Sequence, residues 1–493
     1  MTEPRQLAEG LGELKDTFAK RPSEKILIKG SSLSDNFKFV RQIHLMQHIL
    51  LIGAGRSTYS FIEYIKAHSE SEDWFLTIAD QDLKLAQEKA GDHPRMTAIS
   101  FDVNDEIHRV NAISKADIVV SMLPAHMHIP VATDCIALGK HMLTASYISK
   151  EMKALDERAK EAGVILINEI GVDPGIDHLS AMKVLDEIRD AGGKMLLFES
   201  FTGGLVAPEN DDNPWNYKFT WNPRNVVLAG SGGAVKFIQE GKYKYIPYHQ
   251  LFRRTELISI DGYGRFEGYA NRDSLGYREV YGLQDIPTIY RGTFRRPGFC
   301  RAWDTFVKLG MTDDSYQIEV SAEMTYRDFT NLFLAYNPQD SVELKLMHYL
   351  NIPQDSELMD KLEWLGIFSD TPINLKNPTP AQVLQKILED KWTLGENEKD
   401  MIVMFHKFGY ELNGEKRMIE SSMVALGKNS KETAMARTVG LPLAIAARHI
   451  LSGAISTPGV QIPITKEIYL PMLEELKENG ISFNEKEVDY KGY

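Results

Sequence analysis

The stretch from His48 to Thr58 restricts the fold of this chain more than any other feature, because a short apolar run there breaks into glycines and then into a polar helix start. We expect a first β-strand, a tight turn at Gly53 and the N-terminus of a helix. Gly55 lacks a Cβ that would keep a pyrophosphate away from the backbone, and Ser57 and Thr58 offer hydroxyls beside free N–H groups. An ordinary strand-to-helix turn would show the same pattern, since Thr58 replaces the third glycine of the usual fingerprint.

A second apolar run, Trp74–Asp80, favours a dinucleotide site because it ends in an acid, where a ribose-binding carboxylate belongs. From residue 46 onwards apolar runs alternate with helical patterns, which predicts a parallel, doubly wound sheet. Such a sheet binds its ligand at the carboxyl ends of the strands. The predicted dinucleotide contacts on the first strands are Gly53, Ala54, Gly55, Arg56, Ser57, Thr58, Asp80, Asp102 and Val103.

Length and charge limit the class of protein. A chain of 493 residues is too long for one hydrophobic core and predicts about two or three domains. The formal net charge of -13 argues against nucleic acid as a partner, since nucleic-acid binding needs basic surfaces. Cys135 and Cys300 are the only cysteines, so no disulfide framework is expected and a reducing, cytoplasmic compartment fits best. No apolar run approaches the roughly 18 residues of a membrane span, so we expect no membrane partner.

Two loops, 121–128 and 144–149, follow strands at the edge of the predicted sheet where ligands bind. Both are candidate nicotinamide contacts. His126 and His128 could suggest a metal, but no third ligand lies at a useful spacing. We therefore expect no metal site, and polar residues at a helix start explain both histidines.

The segment 168–178 follows another buried strand and combines carboxylates, a histidine and a Pro-Gly turn. This combination suits acid–base chemistry at a strand end. An Asp-Pro-Gly turn with Asp177 capping the next helix explains the same residues equally well. The spacing alone leaves both interpretations open.

Several uncommon motifs, in this order, resemble those of the L-glutamate-forming saccharopine dehydrogenases, also called saccharopine reductases. They are 168–178, Gly203–Glu209, Asn213-Pro214 with Tyr217–Trp221, Tyr269–Ser274, Arg291–Arg295 and Gly310. The resemblance runs from about Met46 to the C-terminus. It implies an NAD(P)-dependent oxidoreductase of lysine metabolism that reversibly converts L-saccharopine and water to L-glutamate and L-2-aminoadipate 6-semialdehyde.

Saccharopine carries three carboxylates and two amines, so its site needs fixed cations. The family pattern places a substrate-binding arginine at Arg224, and Arg272 is a second candidate carboxylate clamp. A surface salt bridge is the alternative role for either arginine. The remaining predicted substrate contacts are Met122 and Leu123, together with Tyr245, Ile246 and Pro247, which match a substrate-contacting loop in position only.

The implied reaction moves a hydride from the lysine ε-carbon of saccharopine to a nicotinamide, which requires a neutral secondary amine, and the resulting imine is then hydrolysed. Tyr147, Asp173 and His178 are the candidates for handling protons, and the sequence does not show which of them reaches the amine. Thr202 stands where relatives often have a cysteine, so this chemistry needs no thiol here. The predicted nicotinamide contacts are Ser121, Met122, Ser146, Tyr147, Ile148, Asp173 and Gly175.

The cofactor is expected to be NAD or NADP, with NAD slightly favoured. NADP-linked relatives follow the second strand with an arginine that can pair with the 2′-phosphate, whereas this chain has Asp80 and Asp82 there. Carboxylates would repel that phosphate, and Asp80 can accept hydrogen bonds from the ribose hydroxyls of NAD. Alternatively, both acids cap the following helix, and Lys84 or Arg56 reaches a phosphate.

The predicted fold class is α/β: a doubly wound Rossmann dinucleotide-binding domain, an α/β substrate domain and a small helical third domain. The dinucleotide-binding domain covers 46–170 and is completed by 433–470. The substrate domain covers 171–339 and 398–432, and amphipathic patterns predict the helical domain at 340–397. Residues 1–45 are expected to be an extension or the product of a misassigned start. A homodimer is one assembly that the resemblance leaves open.

Two other functions compete with saccharopine oxidation. A related dehydrogenase could make or split a carbon–nitrogen bond in a polyamine, but such a site should carry acids in place of Arg224 and Arg272. A non-catalytic nucleotide-sensing protein could also keep this fold. The intact loops at both predicted sites argue against that second alternative.

Overall fold

The computed structural model describes residues 46–321 and 323–492, and the predicted extension at 1–45 lies outside the described residues. The first part of the chain alternates short apolar strands with helices, several of which begin at a polar cap such as Asp82 or Asp105. Its elements are β1 (Gln47–Ile52), α1 (Tyr59–His68), β2 (Trp74–Asp80), α2 (Leu83–Ala90), β3 (Met96–Ser100), α3 (Glu106–Ser114), β4 (Ile118–Ser121), α4 (His128–Leu138), β5 (His141–Leu143), α5 (Lys150–Lys153), α6 (Asp156–Glu161) and β6 (Ile165–Ile167).

The second part has longer strands and a group of helices between them. Its elements are α7 (Ile176–Asp190), β7 (Lys194–Val206), α8 (Pro223–Val227), β8 (Val235–Gln239), β9 (Lys242–Ile246), β10 (Thr255–Ile260), β11 (Gly264–Ala270), α9 (Gly276–Val280), β12 (Thr288–Arg295), α10 (Phe299–Leu309), α11 (Tyr326–Leu332), α12 (Val342–Leu350), α13 (Glu357–Leu365), α14 (Pro380–Trp392), β13 (Asp400–Leu412), β14 (Glu415–Leu426), α15 (Ala434–Leu451), β15 (Gly459–Gln461), α16 (Lys466–Glu478) and β16 (Asn484–Asp489).

The first sheet is parallel, with strand order β15-β6-β5-β4-β1-β2-β3. The order reverses between β1 and β4, so the loops after these two strands diverge and leave a crevice at their carboxyl ends. Residues 49–52 of β1 are all buried, as expected for a strand covered on both faces. The predicted doubly wound sheet is therefore confirmed.

The second sheet follows the order β10-β11-β12-β7-β13-β14-β16, with β8 and β9 attached to β12. Because side chains alternate along a strand, the register places Arg291 and Thr293 of β12 on the same face as Ser200 and Thr202 of β7. Ile289 continues this face into the hydrophobic core that also contains residues of the first sheet and α7. This face is the one that the second sheet turns towards α7.

The amphipathic patterns within 340–397 form α12, α13 and α14, and Thr379 opens α14 with a capping box. The buried residues of these helices, such as Leu346 and Leu384, belong to the same hydrophobic cluster as Phe201 of the second sheet. The division of the chain into domains at the predicted boundaries stays a prediction.

Helix α15 returns the chain to the first sheet and packs closely against α1. A Cβ on Gly440 of α15 would lie 2.7 Å from the backbone nitrogen of Phe61 and 3.2 Å from the carbonyl oxygen of Ser57. The glycine therefore permits a contact between the helix and the start of α1 that a larger residue would prevent. Strand β15 follows and pairs with β6 at the edge of the first sheet. No helix in the described part of the chain is long and apolar enough to span a membrane.

Candidate functional site

The turn after β1 has the geometry of a phosphate cradle. Gly53 has a φ of +97°, which favours glycine, and a Cβ there would lie 3.2 Å from the carbonyl oxygen of Met122. A Cβ on Gly55 would meet nothing within 4 Å, so open space lies beside this residue. Arg56, Ser57 and Thr58 form a short 3-10 turn that leads into α1. A dinucleotide pyrophosphate fits these residues, since the turn leads into a helix start and has open space beside Gly55.

Asp80 at the end of β2 faces this turn. Its Oδ2 accepts a hydrogen bond from the Ala54 nitrogen at 2.6 Å, and its Oδ1 accepts one from the Asp82 nitrogen at 2.9 Å. Asp82 caps α2 through the nitrogen of Leu85, as the alternative interpretation of the sequence expected. The two acids therefore have different partners, and only Asp80 contacts the glycine turn.

Asp102 and Val103 follow β3. Asp102 is exposed, and its Oδ1 accepts from the backbone nitrogen of Asn104 at 2.9 Å. Val103 is buried, and its carbonyl accepts from Arg109 Nη1 at 2.6 Å. The carboxylate of Asp102 is therefore exposed at this strand end, whereas the Val103 carbonyl is already bonded to Arg109.

His128, the first residue of α4, joins the two loops predicted to contact nicotinamide. Its Nδ1 lies 2.9 Å from Ser121 Oγ, and its Nε2 lies 2.8 Å from Ser146 Oγ and 3.2 Å from Thr144 Oγ1. Burial, and then the charge of His126, lower the pKa of His128 to about 4, so the ring is neutral near pH 7. The described residues hold no group of three or more His, Cys, Asp or Glu that could bind a metal.

Tyr147 and Asp173, from two neighbouring strand ends, come together in the structure. The Tyr147 hydroxyl lies 3.4 Å from Asp173 Oδ1, and the same carboxylate oxygen accepts from Arg291 Nη2 at 2.6 Å. Burial, and then the charge of Asp173, raise the pKa of Tyr147, so its hydroxyl stays protonated. Gly175 closes the turn after Asp173, and a Cβ there would clash with the backbone of Gly171.

Asp177 does not cap α7 in the way that the simpler interpretation expected. Gly175 is the N-cap residue, and Asp177 lies inside the first turn with a 1% exposed side chain. Its Oδ1 accepts from the Gly175 nitrogen at 2.6 Å, and its Oδ2 accepts from Arg291 Nη2 at 2.7 Å. Asp177 therefore supports the turn from within and shares the guanidinium of Arg291 with Asp173.

His178 lies behind this network. Its ring is fully buried, with Nε2 2.8 Å from Glu169 Oε2 and Nδ1 2.6 Å from the Tyr281 hydroxyl. Both ring nitrogens are therefore occupied by protein partners. Its neighbour Glu169 lies in the motif 168–178, but no pattern in the sequence indicated a role for it.

Arg272 lies against Tyr147 and has the unusual backbone φ of +49° for a non-glycine residue. Its Cζ is 5.0 Å from the centre of the Tyr147 ring, which is the distance of a cation–π contact. The preceding Asn271 donates its backbone N–H to the carbonyl oxygen of Arg291 at 2.8 Å. These contacts bring Arg272, Tyr147 and the Asp173–Arg291 pair into one group.

The sheet face that continues from this group carries polar atoms with no partner. Thr202 Oγ1, Thr220 Oγ1 and Arg295 Nε are buried and have no hydrogen-bond partner within the described part of the chain. Thr202 is the neighbour of Thr293 across the strands, and Arg295 is two residues further along β12. Buried polar atoms are normally satisfied, so this face can accept polar groups from a ligand. Sequence reasoning assigned no role to Arg295.

The other predicted substrate residues lie in different surroundings. Arg224 in α8 forms an ion pair with Asp314, although its Nη1 has no hydrogen-bond partner within residues 46–321 and 323–492. Tyr245 and Ile246 end β9, where Tyr245 is 56% exposed and Ile246 is 2% exposed. Pro247 leads into the short helical segment Tyr248–Arg253. The side chain of Ile246 therefore belongs to the core.

Met122 and Leu123 are half-buried at the end of β4, beside the first turn. The Met122 nitrogen donates to the carbonyl oxygen of Ile52 at 2.8 Å. This bond continues the β1–β4 pairing and sets the Met122 backbone next to Gly53. Ser121, which precedes them, is fully buried and bonded to His128. The residues from Ser121 to Leu123 thus lie between the first turn and the His128 group.

Comparison with known proteins identifies the family. A family model described as "Saccharopine dehydrogenase NADP binding domain" matches residues 49–167, and another described as "Saccharopine dehydrogenase C-terminal domain" matches residues 171–481. The chain belongs to the saccharopine dehydrogenase family. The resemblance stated from the sequence motifs is therefore confirmed.

The relatives cover most of the chain. "Saccharopine dehydrogenase [NADP(+), L-glutamate-forming]" of Schizosaccharomyces pombe is 35% identical over 90% of this chain and 100% of its own length. The protein of that name from Saccharomyces cerevisiae is 34% identical over 90% of this chain and 99% of its own length. "Alpha-aminoadipic semialdehyde synthase, mitochondrial" of Rattus norvegicus is 31% identical over 95% of this chain and 52% of its own length.

A solved structure agrees with the fold. The apo, histidine-tagged L-Glu-forming saccharopine dehydrogenase from Saccharomyces cerevisiae matches with a TM-score of 0.82 and 33% identity. The match covers 90% of this chain and 100% of that chain. The predicted α/β fold class is confirmed: a parallel Rossmann-type sheet is followed by a second, mixed sheet.

Proposed function

We propose that this protein is an L-glutamate-forming saccharopine dehydrogenase. It converts L-saccharopine, a nicotinamide dinucleotide and water to L-glutamate, L-2-aminoadipate 6-semialdehyde, the reduced dinucleotide and a proton. The observation that carries the proposal is the contact of Tyr147 with both Asp173 and Arg272, because it joins proton-handling groups to a cation at the ligand-binding edge of the first sheet. The match to L-glutamate-forming relatives over nine-tenths of the chain supports it.

The arginines of the second sheet suit a substrate with three carboxylates. Arg272 presents its guanidinium beside Tyr147, and Arg295 has a buried Nε without a partner in the described residues. We assign these two residues as carboxylate clamps, because guanidinium groups bind carboxylates with paired, charge-assisted hydrogen bonds. Thr202 Oγ1 offers a neutral donor on the same sheet face. Arg224 stays a predicted clamp, although Asp314 is its partner in this structure.

The bound dinucleotide would supply the hydride acceptor, held by the turn after β1 and by Ser121, Ser146 and Ile148. The carboxylate of Asp173 accepts the proton that the secondary amine of saccharopine must lose before hydride transfer. The Tyr147 hydroxyl, which its raised pKa keeps protonated, passes a proton to the glutamate amine as the carbinolamine collapses. Asp173 returns to Tyr147 the proton that it accepted from saccharopine, so both groups regain their starting state. Arg291 holds Asp173 in place through the 2.6 Å hydrogen bond.

We also propose that the preferred dinucleotide is NAD. The relatives named above and the matching family model carry NADP in their names, so this chain would differ from them. The carboxylate of Asp80 supports NAD because it lies at the glycine turn, 2.6 Å from the Ala54 nitrogen, where the adenosine ribose binds in such sheets. Residues 79–82 contain no cation to pair with a 2′-phosphate.

The proposal is tested with purified protein in an absorbance assay at the reduced-nicotinamide band. Saccharopine should support reduction of NAD and, less well, of NADP, and glutamate should accumulate in proportion. Tyr147→Phe, which keeps the ring but removes the hydroxyl, should lower kcat. Release of lysine and 2-oxoglutarate would exclude the proposed reaction. A kcat/KM ratio that favours NADP by about tenfold, or about 1.4 kcal/mol, would overturn the assignment to Asp80.

A further inference from the structure

Glu169 makes a pair of contacts that no part of the proposed mechanism uses. It follows β6 with a backbone φ of +56°, a conformation that non-glycine residues adopt rarely. Its backbone nitrogen donates to the carbonyl oxygen of Ser146 at 3.0 Å, and its Oε1 accepts from the nitrogen of Ile148 at 2.9 Å. The two residues that it holds are the ones on either side of Tyr147.

The second oxygen of Glu169 is held in turn by His178. The distance from Glu169 Oε2 to His178 Nε2 is 2.8 Å, and the Tyr281 hydroxyl lies 2.6 Å from His178 Nδ1. The side chains of Glu169 and His178 are 6% and 0% exposed. Burial would lower the pKa of His178, but the charge of Asp177 and the hydrogen bond to Glu169 raise it above its usual value. Both ring nitrogens are therefore fixed by protein partners, and the ring is a buried hydrogen-bond partner for the carboxylate.

This chain of contacts joins three parts of the fold. Tyr281 follows α9 of the second part of the chain, His178 lies in α7, and Ile148 lies in the loop after β5 of the first sheet. The contacts among these residues form in the protein without a ligand. The series of contacts ends at the N–H of Ile148, which follows Tyr147 in the sequence. The Tyr147 hydroxyl lies near Asp173, and its ring lies against Arg272.

We propose that Glu169, oriented by His178 and Tyr281, is a positioning residue that fixes the Tyr147 loop and so directs the Tyr147 hydroxyl towards Asp173. This inference rests on the proposed function only for the use that is made of Tyr147. The hydrogen bonds from Glu169 to the Tyr147 loop are a property of the free protein. In this proposal His178 orients Glu169, whereas the sequence analysis predicted that His178 transfers protons directly.

Two substitutions separate the contacts. Glu169→Gln keeps an oxygen that can accept from Ile148 but replaces the carboxylate oxygen that faces His178 with an amide group, whereas Glu169→Met removes both contacts. We expect kcat to fall several-fold in Glu169→Gln and about a hundredfold in Glu169→Met, since displacing a reacting group by about 1 Å can cost that much. Tyr281→Phe removes only the most distant hydroxyl and should have the smallest effect.

The direct test observes Tyr147 in the free protein by NMR of chains labelled with [13Cζ]tyrosine. The Tyr147 resonance is identified by its absence in Tyr147→Phe. It should move in Glu169→Gln and in Tyr281→Phe, both of which are close in shape to the natural residues. Tyr326→Phe is the matched control for Tyr281→Phe, because Tyr326 is also buried and its hydroxyl bonds to Asp390 Oδ2 at 2.7 Å instead of His178. It should leave the Tyr147 resonance in place.

A kinetic cycle gives an independent measurement. If Glu169 acts through Tyr147, Glu169→Gln should lower kcat much less in the Tyr147→Phe background than in the natural chain. An unmoved Tyr147 resonance in Glu169→Gln, or fully additive losses in kcat, would overturn the positioning role. Because the NMR experiment needs neither substrate nor turnover, failure of the proposed function would appear separately, as a natural chain that does not oxidise saccharopine.

Discussion

The Nη2 atom of Arg291 lies 2.7 Å from Oδ2 of Asp177, and both side chains are almost completely buried. The same nitrogen donates to Asp173 at 2.6 Å, and the guanidinium lies 4.0 Å from the centre of the Tyr277 ring. Arg291 belongs to β12 of the second sheet, whereas both carboxylates belong to the segment that follows β6 of the first. One cation therefore joins the two sheets and pairs with both acids of the turn.

The first prediction is that Arg291→Met severely destabilises the protein. Met preserves most of the side-chain volume, but it leaves Asp173 and Asp177 buried without a counter-charge, which costs roughly 3 to 5 kcal/mol. Urea unfolding at pH 7 should show this loss. Arg417→Met is the control, since Arg417 pairs with Glu415 and Glu487 on the surface of β14 and its loss should cost less than about 1 kcal/mol. Equal losses in the two variants would show that the buried network contributes little.

Local signals in the sequence predicted the first sheet and its turn. The contacts of Gly53, of the apolar run of β1 and of Asp80 involve residues that are near in sequence or in the adjacent strand. Arg291 had no such signal, because its partners lie 118 and 114 residues away along the chain. Its motif was recognised, but periodicity does not reveal which acids a buried arginine meets.

The remaining differences between the predicted and the observed surroundings of site residues depend on burial. The motif that contains His178 suggested a proton-handling group, and no pattern in the sequence shows that both ring nitrogens bond to Glu169 and Tyr281. Similarly, Tyr245 and Ile246 are adjacent in β9 and point to opposite faces, so one is exposed and the other lies in the core. Those contacts depend on tertiary packing that only the folded chain defines.

The second prediction compares two arginines. Arg272→Ala should reduce kcat/KM for saccharopine about ten- to a hundredfold, because a charge-assisted contact contributes roughly 1.5 to 3 kcal/mol. Arg224→Ala should give a smaller loss, because this predicted clamp is already paired with Asp314. Steady-state kinetics with saccharopine as the varied substrate checks both. A larger loss in Arg224→Ala would show that the arginine indicated by the family pattern is the clamp.

The third prediction concerns dinucleotide selectivity. Asp80→Ser removes the charge at the end of β2 but keeps an acceptor for the Ala54 nitrogen, so the ratio of kcat/KM for NAD over NADP should fall roughly tenfold or more. Asp82→Asn is the matched control, because Asn still caps α2 through the Leu85 nitrogen. It should leave the ratio nearly unchanged. If both variants change the ratio equally, the selectivity depends on total charge and not on Asp80.

The fourth prediction tests the contact between α15 and the start of α1. Gly440→Ala should favour the isolated helix by roughly 1 kcal/mol, but its Cβ would lie 2.7 Å from the Phe61 nitrogen, and such overpacking costs about 1 to 3 kcal/mol. We expect net destabilisation in urea and a several-fold weaker dinucleotide affinity by fluorescence titration. Gly232→Ala is the control, since a Cβ there would meet nothing within 4 Å.

The last prediction is that His128 makes the fold sensitive to acid. Burial, and then the charge of His126, lower the pKa of His128 from 6.5 to about 4 in the folded chain, so the unfolded chain binds the proton more tightly. The stability that depends on neutral His128 is therefore complete above about pH 6.5 and is lost as the pH falls towards 4. The loss amounts to about 3 kcal/mol.

Another buried group acts in the opposite direction over part of this range. Burial raises the pKa of Asp400 from 3.8 to about 6, so its contribution to stability increases as the pH falls from 6 towards 4. His128→Gln isolates the histidine, because Gln does not titrate and the Asp400 contribution is common to both chains. Urea unfolding of the natural chain and of His128→Gln should therefore give curves that converge between pH 7 and 4, with the natural chain losing about 3 kcal/mol relative to the variant. Parallel curves would show that His128 has the same pKa in the folded and the unfolded chain, and would contradict the prediction.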